Sequence, residues 1–297
     1  MTNYSAIENA SHLLALVRLA LAEDNPSGDV TTSLTIPPQT RGEAAVKCRS
    51  AVVVSGLALA QMAFLETDPT LTVVTEAADG DWLEPGRTLL TVSGRASSIL
   101  SAERTALNFL GRLSGIATLT RQFVKLAEEA ASKKGLPAPK ILDTRKTTPG
   151  LRLVEKAAVR HGGGRNHRFS LSDGILIKDN HIQAAGSVGE ALRRAKLSGP
   201  HHLRVEVEVD DLDQLQEALE AGCDIILLDN MTPALLTKAA EKTNSFHAPG
   251  PRRTLLEASG GINLKTISEV AVTGVDYISA GALTHSAPSA DLGLDWT

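Results

Sequence analysis

Residues 203–229 read LRVEVEVDDLDQLQEALEAGCDIILLD, and this stretch decides the fold class. It begins with a strand-like apolar run, continues with apolar residues at helical spacing over 212–221, and ends in a second apolar run at 225–228. A strand, a helix and a strand in this order predict a parallel β-α-β unit. Glu206 and Glu208 are two positions apart on the first strand, so both side chains are predicted to point to the same face.

The same rhythm of strands and helices continues on both sides of this stretch. Further short strands are predicted at 141–142, 175–177, 254–256 and 275–279. Further helices are predicted at 151–159, 188–196, 233–242 and 264–272. Six strands are too few for a closed eight-stranded barrel. The pattern alone therefore leaves two architectures open, a doubly wound open sheet and an incomplete α/β barrel.

The first part of the chain has a different, mixed α/β pattern. The elements predicted there are helices at 6–22 and 97–133 and strands at 42–49, 71–74 and 89–92. After the long helix, Gly135, Pro137 and Pro139 interrupt the pattern. Such a cluster of helix-breaking residues indicates a domain boundary.

Composition excludes several classes of protein. The chain has 297 residues, a net charge of −4 and only 3% aromatic residues, which is atypical of a nucleic-acid-binding protein. Cys48 and Cys223 are far apart and belong to no metal-binding motif, so neither a disulfide framework nor a zinc site is expected. The sequence shows no secretory signal and no apolar run long enough to span a membrane. We therefore expect a cytoplasmic protein.

Polar residues follow nearly every strand of the second part, where α/β enzymes place their active sites. Four of them are cationic, Arg145, Lys146, Arg168 and Lys178, with His167 beside them. This local concentration of positive charge predicts a polyanionic ligand, because guanidinium groups match carboxylate and phosphate oxygens. A Schiff-base role for Lys178 or Lys146 is the alternative. His181 is predicted either to support the site or to contact the substrate.

Two further features complete the predicted site. The turns Ser259-Gly260-Gly261 and Ser279-Ala280-Gly281 follow strands and expose backbone N–H groups, which suits a phosphate. Glu208 and Asp229 provide carboxylates among the cations. Such carboxylates suit a magnesium-bound pyrophosphate, ribose hydroxyls, or the positive charge that develops on a sugar.

Several motifs resemble those of the quinolinate phosphoribosyltransferase family, over essentially the whole chain. The motifs are DTRKTTPGLR at 143–152, GGGRNHR at 162–168, IKDNH at 177–181, ERT at 103–105, LSGIA at 113–117, VEVEV at 205–209, LLDN at 227–230, GALTH at 281–285, ED at 23–24 and GDVT at 28–31. One departure is visible, since Asn25-Pro26 stand where the family usually has leucine and glycine. That difference alters a turn and affects no expected catalytic residue.

The resemblance implies an incomplete α/β barrel with an N-terminal open-faced α/β sandwich domain. The sandwich domain is expected at 1–134, joined by the tail 284–297, and the barrel at 135–283. The family also implies a homodimer or larger homo-oligomer in which Arg104 acts in the neighbouring subunit's site. The expected activity is phosphoribosyl transfer from phosphoribosyl pyrophosphate to quinolinate, with decarboxylation to nicotinate mononucleotide in de novo NAD biosynthesis.

The resemblance also implies a role for each site residue. Lys146, Glu208 and Asp229 are the expected catalytic residues, and Thr144 is expected among the substrate-binding residues. The expected quinolinate clamp consists of Arg104, Arg145, His167, Arg168 and Lys178. Lys146 is expected to bind pyrophosphate, and Glu208 and Asp229 the ribose hydroxyls. The expected cradle for the 5′-phosphate is Ser259, Gly260, Gly261, Ser279, Ala280 and Gly281. Mg²⁺ is the only expected cofactor; it arrives with phosphoribosyl pyrophosphate and contacts Glu208 and Asp229 through water.

Three rival interpretations remain at this point. One is a paralogue of the same fold associated with molybdate transport, which acts on another substrate. The second is an aldolase-type barrel that works through Lys178. The third is a non-enzymatic barrel that binds a metabolite. The complete set of cations disfavours the first, and the carboxylates together with two anion sites disfavour the third.

Overall fold

The computed structural model describes residues 4–246 and 253–297. The chain divides into two compact units. The first unit consists of Met1–Leu119, Pro149–Gly163 and Ala287–Thr297, and the second of Thr120–Thr148 and Gly164–Ser286. In the described part of the chain, no helix combines the length and the apolar character that crossing a membrane requires.

The first unit is built from one four-stranded sheet, a short strand pair and several helices. Its helices are α1 (Tyr4–Asp24), α2 (Val30–Thr35), α3 (Leu57–Thr67), the first part of α4 (Ala96–Lys133) and α5 (Arg152–His161). Its strands are β1 (Arg41–Cys48), β2 (Val52–Val53), β3 (Thr72–Thr75), β4 (Trp82–Leu83), β5 (Thr88–Arg95) and β12 (Leu292–Trp296). The predicted long helix, at 97–133, is therefore confirmed.

The four-stranded sheet is antiparallel, with the order β12-β1-β5-β3. Ala44, Val46 and Cys48 of β1 are fully buried, as the alternation of the sequence predicts. The strand β12 pairs with β1 in a register that places Trp296 opposite Ala44. The last residues of the chain thus complete a sheet that begins at residue 41.

The second unit contains six parallel strands and the helices that connect them. Its strands are β6 (Lys140–Leu142), β7 (Ile175–Ile177), β8 (Val205–Val209), β9 (Ile225–Asp229), β10 (Leu255–Ser259) and β11 (Tyr277–Ser279). Its helices are the end of α4, α6 (Asp179–Ala185), α7 (Val188–Ser198), α8 (Leu212–Glu220), α9 (Pro233–Ser245), α10 (Ile267–Val270) and α11 (Ala282–His285). All six predicted strands are found.

The six strands form one sheet with the order β6-β11-β10-β9-β8-β7. Every adjacent pair is parallel, and β6 and β7 are the two ends of the order. Apolar strand residues such as Val207, Ile226 and Ile278 are fully buried. The predicted fold class, an incomplete α/β barrel with an N-terminal α/β sandwich, is confirmed.

Several helices differ from the sequence prediction: α2, α3, α6 and α11 were not predicted, and one predicted helix is shorter. The helix α6 begins directly after β7, at Asp179. Its sequence, DNHIQAA, has no apolar stripe and none of its residues is buried, so hydrophobic periodicity could not reveal it. The helix predicted at 264–272 is shorter, since α10 covers only Ile267–Val270. Asn263 explains this: its side chain accepts a hydrogen bond from the Lys265 N–H and forms a turn there.

Candidate active site

The carboxyl ends of the six parallel strands surround a cavity of about 390 Å³. Parallel strands end at the same edge of a sheet, so the polar residues that follow them converge. Twelve predicted site residues line this cavity: Thr144, Arg145, Lys146, His167, Arg168, Lys178, Glu208, Asp229, Ser259, Gly260, Gly261 and Ser279. The structure therefore brings together residues that lie up to 135 positions apart in the sequence.

A second cavity of about 260 Å³ shares six lining residues with the first. Ala280 and Gly281 line this second cavity, so both predicted small-residue turns border it. Arg104 is not among the lining residues of either cavity; it is exposed on α4 in the first unit. It is the only predicted site residue that the described part of one chain does not place at the cavities.

Lys178 and Glu208 form an ion pair across the cavity. Lys178 Nζ lies 2.6 Å from Glu208 Oε2, and the Lys178 side chain is 46% exposed while that of Glu208 is 12% exposed. The pairing of Lys178 with a carboxylate, among other cations of the cavity, fits a role in binding anions. The Lys178 N–H donates to His181 Nδ1 at 2.9 Å, at the start of α6. His181 therefore fixes the main chain of Lys178 through this hydrogen bond, and it does not line the main cavity.

His167 and Arg168 are held in place by a buried carboxylate. Asp143 is fully buried at the end of β6, and it accepts hydrogen bonds from the His167 N–H at 2.9 Å and from the Asn166 side chain. The Arg168 guanidinium donates to the carbonyl oxygen of Gly174 at 3.1 Å. These bonds fix the loop that carries both cations, so the loop is preorganised for a ligand.

Two arginines lie close enough to repel each other. Burial lowers the pKa of Arg168, and the charge of Arg145 lowers it further, while Glu206 raises it. A dianion that binds between two guanidinium groups lowers their electrostatic energy, because it offsets their mutual repulsion. This wall of the cavity is therefore suited to a ligand with two neighbouring negative charges.

Two buried glutamates lie beneath His167. His167 Nε2 is 3.3 Å from Glu206 Oε2 and 3.7 Å from Glu257 Oε1. Burial raises the pKa of Glu257, and the neighbouring charge of Glu206 raises it further. The three side chains bring potential metal ligands within 4.8 Å of one another. The charge of Glu206 also raises the pKa of Arg168, so Glu206 offsets part of the repulsion that Arg168 experiences from Arg145.

Glu208 and Asp229 form the acidic side of the cavity. Burial raises the pKa of Asp229, and the charges of Glu208 and Asp210 raise it further, while Lys178 and Lys146 oppose the increase. Carboxylates that repel each other in this way are stabilised by an added cation or by a ligand with positive character. The Asn230 side chain donates to Asp229 Oδ2 at 2.6 Å.

The turn after β10 has the backbone conformation that glycine permits. Gly260 and Gly261 have φ angles of +91° and +64°. A Cβ atom on Gly260 would lie 2.1 Å from Asn230 Oδ1, whereas a Cβ atom on Gly261 would meet nothing within 4 Å. Both positions favour glycine through φ, but only Gly260 is also required for packing.

This difference predicts unequal effects of two matched substitutions. Gly261→Ala is expected to lower the free energy of unfolding by roughly 1–2 kcal/mol, from backbone strain alone. Gly260→Ala is expected to cost at least about 1 kcal/mol more, because the new methyl group overlaps Asn230. Urea unfolding followed by circular dichroism gives both values, and equal midpoints for the two variants would contradict the packing argument.

Sequence reasoning missed four residues of the main cavity, Leu176, Leu227, Asn230 and Glu257. A signal existed for Glu257, because it directly follows the apolar run at 254–256 and is 2% exposed in β10. A charged residue inside a buried strand indicates either a partner or a function. For Asn230 the only signal was its place in the family motif LLDN, since an asparagine after a strand is common in ordinary turns.

Comparisons with known proteins identify the family of the chain. The family model for the quinolinate phosphoribosyl transferase C-terminal domain matches residues 116–295, and that for the N-terminal domain matches residues 29–114. A probable nicotinate-nucleotide pyrophosphorylase [carboxylating] of Bacillus subtilis is 41% identical, with 97% of this chain and 95% of that protein covered. The nicotinate-nucleotide pyrophosphorylase [carboxylating] of Mycobacterium leprae is 44% identical, with 94% and 95% covered.

Solved structures are similar to this chain in fold as well as in sequence. The nicotinate-nucleotide pyrophosphorylase of Francisella tularensis superimposes with a TM-score of 0.87 at 37% identity, over 97% of this chain and 96% of that one. The enzyme of the same name from Ehrlichia chaffeensis gives 0.85 at 36% identity, over 95% and 98%. Sequence and fold agree along almost the whole length of the chain, and the chain belongs to the quinolinate phosphoribosyltransferase family.

Proposed function

We propose that this protein transfers the phosphoribosyl group of phosphoribosyl pyrophosphate to quinolinate and releases pyrophosphate and carbon dioxide. The product is nicotinate mononucleotide, a precursor in de novo NAD biosynthesis. One observation carries the proposal: two adjoining cavities with shared lining residues join a cationic wall to a pair of carboxylates and two small-residue turns. The names of the relatives support the same reaction.

The cationic wall suits quinolinate, which has two carboxylates on adjacent ring carbons. Arg145, Arg168 and Lys178 line this wall with His167. Guanidinium groups bind carboxylates through two parallel hydrogen bonds, which fixes the orientation of the ring as well as its charge. Lys178 is already oriented by Glu208 at 2.6 Å, so little reorganisation is needed when the substrate binds.

The acidic side of the cavity and the two turns suit the phosphoribosyl donor. Glu208 and Asp229 face the position of the ribose hydroxyls, and the turns at 259–261 and 279–281 cradle the 5′-phosphate. Lys146 lines both cavities, a position from which it can bind the pyrophosphate. Burial raises the pKa of Asp229, the charges of Glu208 and Asp210 raise it further, and a cation would oppose these effects, so the two carboxylates fit Mg²⁺ held through water. When bound, Mg²⁺ neutralises the leaving pyrophosphate.

The transfer step places positive charge on the sugar. The pyridine nitrogen donates its lone pair to the anomeric carbon as the bond to pyrophosphate breaks, and the ribose passes through an oxocarbenium-like state. Glu208 and Asp229 stabilise this charge because they are fixed in a partly buried site. Their role is electrostatic.

The second step uses the charge that the first one creates. After transfer, the ring nitrogen is cationic and adjacent to the carbon that carries one carboxylate. When that carbon–carboxylate bond breaks, the electron pair stays on the ring carbon, is stabilised by the neighbouring positive nitrogen, and then takes a proton. The protein positions the ring and excludes water from it. An organic cofactor is not needed for this chemistry.

The test is a direct assay. Purified protein is incubated with quinolinate, phosphoribosyl pyrophosphate and Mg²⁺, and nicotinate mononucleotide and carbon dioxide are followed together. We expect both products in equal amounts, and neither when nicotinate replaces quinolinate. Folded protein that forms neither product would refute this function while leaving the fold assignment intact.

We further propose that the active unit is a homodimer or larger homo-oligomer in which each copy contributes Arg104 to its neighbour's site. Arg104 is exposed on α4 and lines neither cavity of its own chain. Its neighbours on the helix, Thr105 and Ala106, are buried, so the helix is anchored while the arginine projects outward.

Mixing two inactive variants tests this arrangement. Arg104→Ala and Lys146→Ala are each expected to abolish most activity. After subunit exchange, up to about a quarter of wild-type activity is expected to return, because each mixed dimer regains one intact site. Native mass spectrometry confirms the exchange. No recovery in a sample of exchanged subunits would show that Arg104 acts within its own chain or not at all.

A further inference from the structure

Asn230 has an unusual backbone. Its φ angle is +52°, and it is the only residue other than glycine with a positive φ among the residues that the structure describes. This left-handed conformation is unfavourable for residues with a side chain, although asparagine tolerates it better than most. Such strain persists only where surrounding contacts hold it, and it is concentrated at functional sites. The positive φ of Asn230 therefore requires a structural or functional explanation.

The contacts of Asn230 connect two parts of the cavity. Its main-chain N–H donates to the carbonyl oxygen of Ser259 at 2.9 Å, which continues the β9–β10 pairing by one bond. Its side-chain amide donates to Asp229 Oδ2 at 2.6 Å. Both bonds are made by a residue whose φ is positive, a conformation that asparagine tolerates better than most residues.

The carboxamide also lies against the glycine turn. A Cβ atom at Gly260 would be 2.1 Å from Asn230 Oδ1 and 2.6 Å from Asn230 Cγ. The side chain is therefore held between Asp229 on one side and the turn at 259–261 on the other. One donated hydrogen bond to Oδ2 leaves Asp229 Oδ1 to face a ligand.

We propose that Asn230 is a positioning residue that fixes the Asp229 carboxylate relative to the Ser259-Gly260-Gly261 turn, so that a ribose and its 5′-phosphate are bound as one rigid unit. The inference rests on the proposed function for the identity of this ligand. Quinolinate binding depends on the cationic wall formed by Arg145, His167, Arg168 and Lys178, and it is not expected to involve Asn230. A sugar phosphate must contact both subsites at once, so a small change in their spacing weakens both sets of contacts.

Asn230→Gly separates positioning from folding. Glycine adopts a φ of +52° without strain, so the variant keeps the turn and loses only the carboxamide. We expect a melting temperature close to that of the wild type. We also expect KM for phosphoribosyl pyrophosphate to rise about tenfold or more, while KM for quinolinate stays within about twofold. A purely structural residue would not produce this split between the two substrates.

Asn230→Asp provides the matched comparison. Aspartate also tolerates the left-handed region and has almost the same shape, but it replaces the amide donor with a carboxylate beside Asp229. We expect this variant to bind the phosphoribosyl donor at least as weakly as Asn230→Gly. Wild-type KM values in Asn230→Gly would overturn the proposal, as would equal changes in KM for both substrates.

A binding measurement keeps this inference separate from the proposed reaction. Ribose 5-phosphate and inorganic phosphate are titrated by calorimetry into wild-type protein and into Asn230→Gly, without quinolinate. We expect the variant to lose about tenfold in affinity for ribose 5-phosphate, and less for phosphate, which contacts the turn alone. This result would support the positioning role even if no nicotinate mononucleotide were formed. Unchanged affinity, or no binding of ribose 5-phosphate to the wild type, would overturn it.

Discussion

Glu208→Gln is expected to lower kcat by about 100- to 1000-fold while the affinity for quinolinate stays within about threefold. Glutamine keeps the size of the side chain and removes its charge, so the loss measures electrostatic stabilisation of the ribosyl cation. Glu208 also holds Lys178 at 2.6 Å, and without this ion pair the ammonium remains available to the quinolinate carboxylates. The substitution therefore separates turnover from binding of the acceptor.

The pH dependence of the same variant gives a second expectation. In the wild type, burial and the charge of Glu208 keep the pKa of Asp229 above its ordinary value. Activity that needs the Asp229 anion is lost as pH falls through this raised pKa. Removing the charge of Glu208 lowers the pKa of Asp229, so the acidic limb of the kcat profile is expected to move to lower pH.

Steady-state kinetics from pH 4 to 8 measure both effects. Glu220→Gln, an exposed position on α8, is the charge-matched control and is expected to leave the kinetics unchanged. If kcat of Glu208→Gln is within tenfold of the wild-type value, Glu208 is not a catalytic residue.

Arg145→Ala is expected to raise KM for quinolinate by about 10- to 150-fold, which corresponds to the loss of one charge-assisted contact of roughly 1.5–3 kcal/mol. Arg145 lines the main cavity and lies close enough to Arg168 for its charge to lower the pKa of that guanidinium. Its loss removes one of the two charges that a dicarboxylate neutralises. KM for phosphoribosyl pyrophosphate is expected to change far less.

Comparison of ligands sharpens this expectation. Direct titration with quinolinate and with nicotinate, which has a single carboxylate, compares the two affinities in wild type and variant. We expect the preference for the dicarboxylate to fall in Arg145→Ala and to persist in Arg193→Ala, a surface arginine on α7 that pairs with Glu190. Undiminished affinity for quinolinate in Arg145→Ala would refute the clamp.

Much of the second unit was predictable because each β-α-β unit is encoded locally. The apolar runs predicted all six parallel strands, and the polar residues after the strands predicted the location of the site. The alternation in VEVEV also placed Glu206 and Glu208 on one face. In the structure, Glu208 contacts Lys178 while Glu206 lies beneath His167, so one face contributes both a cavity residue and its buried support.

Other features could not be predicted from the sequence, because they arise from spatial neighbours that are distant in the chain. The order of the sheet places β6 beside β11, and this brings Lys146 against Gly281, where an added Cβ atom would be 3.0 Å from Lys146 Cδ. No local pattern specifies which strands pair across such distances. The role of Asn230 depends on the same kind of contact, since its partners lie on two adjacent strands.

The pairing of β12 with β1 has a consequence for protein synthesis. Roughly 240 residues separate the two strands, so at about 5–20 residues per second one edge of β1 waits on the order of 10–50 s for its partner to be translated. An unpaired strand edge is a template for aggregation. A nascent chain, or a fragment that ends before residue 292, exposes this edge even when the catalytic unit has already folded. Slow translation and early termination therefore prolong the exposure of this edge and raise the risk of aggregation.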